Sequence, residues 1–124
     1  MLLVIMFAIA AYGGEQPDQN SLQRKSTTGL EGWTHADFRH SKGAWMNDTL
    51  VVKTKKAKIK KFAAEYVFIV GWDFCRDDSC VVIQSVNAHG PCYWQLYDIS
   101  SGKLLDSFYR SKADVFPEWV QQFL

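Results

Sequence analysis

The chain has 124 residues, of which 48% are hydrophobic, 15% aromatic and 22% charged, enough for one buried core and too short for a multidomain enzyme. Its 14 Lys+Arg against 13 Asp+Glu leave a formal net charge of +1, so no global cationic field exists to draw in nucleic acid or a membrane surface, and any such contact must be local. The apolar content excludes a disordered chain, and no apolar run reaches the roughly 18 to 20 residues that span a bilayer.

Met1 to Tyr12 carries no side-chain charge, and Leu2 to Ala11 has the length of a signal-peptide apolar region, with Ala8-Ile9-Ala10 as an A-x-A cleavage pattern. This predicts an exported protein, periplasmic or secreted, with residues 1–12 removed. Residues 13–32 are mostly Gly, Gln, Ser, Thr and charged side chains, which predicts a flexible linker ahead of a single domain over 33–124. Thr34-His35-Ala36-Asp37 fits an [ST]-x-x-[DE] helix start and Gly43 a stop, so a short helix with Phe38 inward is expected there.

Asp48 to Thr54 is β-branched and reads as a strand. From Lys53 to Lys61 six of nine residues are Lys. Ile59, Phe62, Ala63 and Tyr66 fit helical spacing while Lys56, Lys58 and Lys60 alternate with Ala57 and Ile59 as in a strand; the helix, from about Lys55 to Ala64, is the expectation. Tyr66 to Trp72 is then a buried strand. Val81–Val86 and Cys92–Tyr97 form a hairpin through Asn87–Gly90, and Lys103–Tyr109 returns after a turn at Ser100-Ser101-Gly102. Pro117 suits a first helical position, with Trp119, Val120 and Phe123 on one side. The predicted class is α+β: an antiparallel sheet of four or five strands with short flanking helices.

Three Cys in an exported chain predict one pair and one left over. Closing the hairpin at Asn87–Gly90 sets Cys80 opposite Tyr97 and Ser85 opposite Cys92, which leaves Cys80 and Cys92 about 17 Å apart along the ladder, beyond disulfide reach. Cys75 and Cys80 remain, closing a ring through Arg76, Asp77, Asp78 and Ser79. The ring should project from one end of the sheet. It serves either as a binding probe or as a staple that fixes a strand connection.

Other chemistry is sparse. His35 and His40 beside Asp37 lie too far round a helix to share a ligand. His89 near Cys92 would suit a thiol nucleophile only if Pro91 let the two converge. Asp73, Asp77 and Asp78 cluster about the ring without cation-loop spacing. No phosphate-loop, dinucleotide, zinc-protease or nucleophile-elbow motif is present, so no catalytic residue, cofactor or metal is assigned. The Lys53, Lys55, Lys56, Lys58, Lys60 and Lys61 run is a basic patch, either a solvated face or a contact for an acidic protein or anionic surface.

Phe62-Ala63-Ala64-Glu65-Tyr66, the apolar strand through Trp72, Cys75 and Cys80, and Asp98-Ile99-Ser100-Ser101-Gly102-Lys103 together resemble a group of small exported bacterial proteins of unknown function. Their pattern runs Asn-Phe-Ala-Gly-His-Tyr, a strand ending Trp-Gly-Cys-Gly, a second Cys, then Asp-x-x-Thr-Gly-Lys. That resemblance implies export and a β-rich core, and no reaction. The Cys-x4-Cys ring is also similar to that of periplasmic inhibitors of animal-type lysozyme, which carry a His where this ring has Arg76, Asp77 and Asp78. The expectation is an exported, non-enzymatic protein-binding domain, an inhibitor or immunity protein against a hydrolase, with Arg76, Asp77, Asp78 and Ser79 in contact. A small thiol-dependent enzyme and a structural envelope protein are the alternatives.

Overall fold

The computed structural model describes residues 16–39, 43–87, 90–110 and 115–123, with 37–39 as backbone only. The expected leader over 1–12, together with His40 and His89, lies outside the described residues. The strands are β1 (Arg24–Lys25), β2 (Glu31–Arg39), β3 (Ala44–Lys53), β4 (Ile59–Ala63), β5 (Phe68–Cys75), β6 (Cys80–Val86), β7 (Tyr93–Asp98) and β8 (Leu104–Tyr109), followed by one helical turn, α1 (Glu118–Gln121). They form a single mixed sheet in the order β1-β2-β3-β5-β6-β7-β8, with β4 also on β3. The α+β expectation of four or five antiparallel strands is therefore incorrect: the described chain is almost entirely β.

Two expected helices are strands, each for a local reason. Thr34 pairs with Leu50 across β2 and β3, and its hydroxyl accepts the Leu22 amide at 3.0 Å, so it ties down the segment ahead of β1 rather than starting a helix. Gly43, at φ 60°, lies in the β2–β3 turn. The Lys run is a hairpin. Thr54 closes its turn by donating its amide to Lys58 O at 2.9 Å, with its hydroxyl taking the Lys58 amide, and Lys60 and Lys61 then pair with Val52 and Val51. Only Phe62 of β4 is fully buried.

The turn places Ala57 at φ 61°, in the left-handed region where hairpins of this length prefer Gly. Ala57 is exposed. Ala57→Gly is therefore expected to raise stability by about 0.5 kcal/mol, the relief of strain exceeding the added unfolded-state entropy; a urea midpoint that falls would contradict this.

The sheet folds over on itself. Residues 49–53 of β3 pair with β4, while Asn47 forms a parallel bridge to Phe68 of β5. Leu50, Val52 and Phe62 thereby close on Ile69, Trp72, Phe74, Val81 and Ile83, the first core. The other face of β5–β8 is covered by the C-terminal segment: Cys80, Val82, Trp94 and Leu96 pack on Trp119 and Val120, with Phe108, Phe116 and Phe123 at the margin. Because β6 is buried on both faces, Cys80 to Ile83 are all close to inaccessible, and its sequence is a continuous apolar run rather than an alternation.

The meander occupies its expected spans to within a residue or so, but its register differs. Cys80 lies opposite Asp98 and Ser85 opposite Tyr93, one residue from the expected Cys80–Tyr97 and Ser85–Cys92 pairing, because the connection from Asn87 runs on through Cys92. The segment expected as a linker contributes β1, and Leu22 O accepts the Trp72 indole N–H at 2.7 Å.

Candidate functional site

Four hairpin turns meet at one end of the folded sheet: residues 26–30, 54–58, 76–79 and 99–103. Each is closed by its own polar groups. Ser26 donates its amide to Leu30 O and accepts the Leu30 amide on its hydroxyl, both at 2.8 Å. Asp98 accepts the Ser101 hydroxyl at 2.7 Å and amide at 2.8 Å, which together hold its carboxyl below the usual carboxylate range. Gly102, at φ 75°, completes that turn.

The ring from Cys75 to Cys80 is the most unusual of the four. Arg76, Asp77 and Asp78 stand consecutively at φ 50°, 56° and 64°, a left-handed run that costs L-residues free energy at every position. Short polar bonds hold it: the Ser79 hydroxyl donates to Arg76 O at 2.7 Å, Ile99 N–H to Ser79 O at 3.0 Å, and the Thr28 hydroxyl to Asp78 at 2.8 Å. The expected free projection is thus qualified. Asp78 is half-buried against the 26–30 turn and Ser79 is tied to the 99–103 turn, while Asp77 is exposed and has no side-chain partner among the described residues. Arg76 lies 3.8 Å from the exposed Glu118, a pair of small energetic weight.

Between the turns lies a cleft of about 420 Å³ lined by Lys58, Lys60, Asp78, Ser79, Asp98 and Ile99 among others. Lys60 reaches across it to donate to Ser100 O at 2.8 Å. The structure therefore brings two of the six lysines, Lys58 and Lys60, to the same place as the ring. Lys53, Lys55, Lys56 and Lys61 remain exposed around the hairpin.

Cys75 and Cys80 are direct partners across β5 and β6, on the face that meets Trp119 and Val120, and all three thiols are free in the structure. Burial pushes the Cys75 thiol up to about 12 from about 9, and the neighbouring Cys80 adds to the shift. The raised value gives a sign to the pH dependence. Below pH about 9 both folded and unfolded forms hold the proton; between about 9 and about 12 only the unfolded form loses it, so stability of the reduced protein falls across that window. Urea midpoints measured through the window should fall more steeply for the wild type than for Cys75→Ser; equal slopes would contradict the assignment.

The remaining candidates disperse. Asp73 accepts the Phe74 amide at 2.8 Å and lies 3.8 Å from Arg24, so it forms no acid cluster with Asp77 and Asp78. Cys92 is half-buried, and its sulfur accepts the Gln84 side-chain amide at 3.2 Å. Among the described residues no group of three His, Cys, Asp or Glu could hold a metal. Thr28 and Ile99 matter to the ring through contacts made across the fold, and the Ser100-Ser101-Gly102 turn is a signal in the sequence that pointed to this end. No family model, curated protein or solved structure matches the chain.

Proposed function

We propose that the chain is a non-enzymatic protein-binding domain acting outside the cytoplasm, with the turn-bearing end as its contact surface and Asp77 at the tip. The observation that carries this reading is the left-handed Arg76-Asp77-Asp78 run, fixed by hydrogen bonds from two other turns. A loop already held in one conformation loses little entropy when a partner closes on it, and backbone strain of this kind collects where recognition is performed. A hydrolase with an open cleft is the partner class that a rigid, charged turn with Asp77 exposed at its tip suits. The leader pattern at residues 1–12 supports the compartment.

The test is a comparison of variants rather than a single capture. Wild-type protein immobilised on resin is exposed to periplasmic or culture-medium extract beside Asp77→Ala and Lys55→Ala. A bound protein that is lost with Asp77→Ala and kept with Lys55→Ala supports the assignment. No bound protein, or retention by both variants, defeats it.

A further inference from the structure

Among the described residues, the folded sheet leaves one place without a covering strand. Above β7 the upper layer is complete: Phe62 packs on Tyr97 with ring centroids 5.2 Å apart, Glu65 N–H donates to Gln95 at 2.8 Å, and Tyr66 meets Tyr93 at 5.5 Å. The next strand down, β8, carries Leu104, Ser107 and Tyr109 on that same face, opposite Tyr97, Gln95 and Tyr93. Among the described residues no strand lies over them, and Tyr109 meets only the Tyr93 ring, at 6.2 Å, and the nearby Tyr66. Leu104 is 49% exposed and Tyr109 47%.

The strand that borders this gap is β4, which among the described residues pairs only with β3. Ala64 N–H donates to Asp48 O at 2.8 Å, and alternation along an antiparallel ladder then turns the backbone of Phe62 and Lys60 toward β3 and that of Ile59 and Lys61 outward. Ala63 O, also outward, takes the Tyr97 hydroxyl at 2.6 Å, which marks the lower limit of the open edge. An edge of this kind accepts an extended segment by main-chain pairing.

We infer that the β4 edge is a docking site for an extended, acidic segment of a partner protein, whose alternate apolar side chains would cover Leu104 and Tyr109. Charge decides the occupant. Lys58, Lys60 and Lys61 line the edge, with no acidic residue between Asp48 and Glu65, and Lys103 and Arg110 flank β8. A second copy pairing through β4 would set these lysines against one another, so the edge repels itself and favours carboxylates. The inference deepens the binding-domain reading but uses a different surface from the ring.

The probe is a short peptide of alternating Val and Glu ending in Pro, compared with its alternating Val and Lys counterpart and with a shuffled peptide of the same composition, each added to the whole protein. Binding of the acidic alternating peptide should protect the Lys61 amide from hydrogen exchange. It should weaken by about tenfold or more in Lys61→Pro, which removes an outward donor without touching the β3–β4 ladder, and should fall with added salt. Lys61→Glu, a second variant that keeps the amide, should favour the basic peptide. Asp77→Ala should leave peptide binding unchanged, so that failure of the ring assignment and failure of this one are separable. Equal binding of the shuffled peptide, indifference to Lys61→Pro, or self-association of the free protein through β4 would each overturn the proposal.

Discussion

Replacing Gly32 with Ala is expected to destabilise the protein by about 3 kcal/mol, the upper range for overpacking a rigid core. A Cβ on Gly32 would stand in hard contact with the Trp72 ring at Cη2, with Cζ2 and Cζ3 at 3.0 and 3.1 Å. The indole cannot move aside. It is 1% exposed, packed edge-on against Phe74 with centroids 5.2 Å apart, and held through its N–H on Leu22 O at 2.7 Å. Gly32 is thus where the β2 backbone passes directly over β5, so the close approach of the two layers depends on one missing methyl group. Chemical denaturation of Gly32→Ala, Trp72→Phe and the double variant tests this. The smaller ring should recover part of the loss, giving a non-additive cycle; additive losses would show that the two positions do not meet.

Oxidation of Cys75 and Cys80 is expected to form a disulfide and to stabilise the fold by about 2 kcal/mol, less any strain, from closure of a six-residue ring in the unfolded chain. The two residues are direct cross-strand partners, a placement whose Cα separation lies within disulfide range. The Cys75 thiol borders a cleft of about 230 Å³ shared with Arg76, Glu118, Trp119 and Gln122, which gives an oxidant access. With oxidised glutathione as oxidant, each ring formed consumes two thiols and releases two equivalents of reduced glutathione. The raised pKa of Cys75 makes the reaction slow at neutral pH and faster as pH rises. Intact mass should show the loss of two hydrogens, and a non-reducing peptide map should place the bridge between Cys75 and Cys80. The oxidised wild type should then unfold at higher urea than the Cys75→Ser and Cys80→Ser double variant. A bridge to Cys92, or an oxidised form no more stable than the double variant, would contradict the expectation.

The ring and the edge place different demands on the same end of the molecule. Lys60 serves both, since its Nζ bonds Ser100 O in the turn cluster while its backbone belongs to β4. Asp78 serves the scaffold, held by Thr28, whereas Asp77 is exposed with no side-chain partner among the described residues. Substitutions at Asp78 therefore disturb the fold as well as the proposed contact, and Asp77 is the cleaner probe of that proposal.

What the sequence determined by itself is the set of strands in the meander. Val81 to Ile83 is continuous, apolar and β-branched, a pattern that survives in any context where both faces are covered, and the tight turn at Ser100 to Gly102 carries its own chemistry in Asp98 and Gly102. Excluding Cys80 with Cys92 left a Cys75–Cys80 bridge as the expectation; the structure sets the two opposite each other across β5 and β6 with both thiols free. Tertiary structure decided the rest. Thr34 offers the same hydroxyl to a helix start or to the segment ahead of β1, and the Leu22 amide that selects the strand is twelve residues away. The Lys run carries both periods, and its choice rests on the pairing of residues 59–63 with β3. The gathering of the four turns, the hold of Thr28 and Ile99 on the ring, and the gap above β8 depend on contacts between residues far apart in the chain. Local propensity is silent about such contacts; they form because folding the sheet over buries Trp72, Leu50 and Phe62 together.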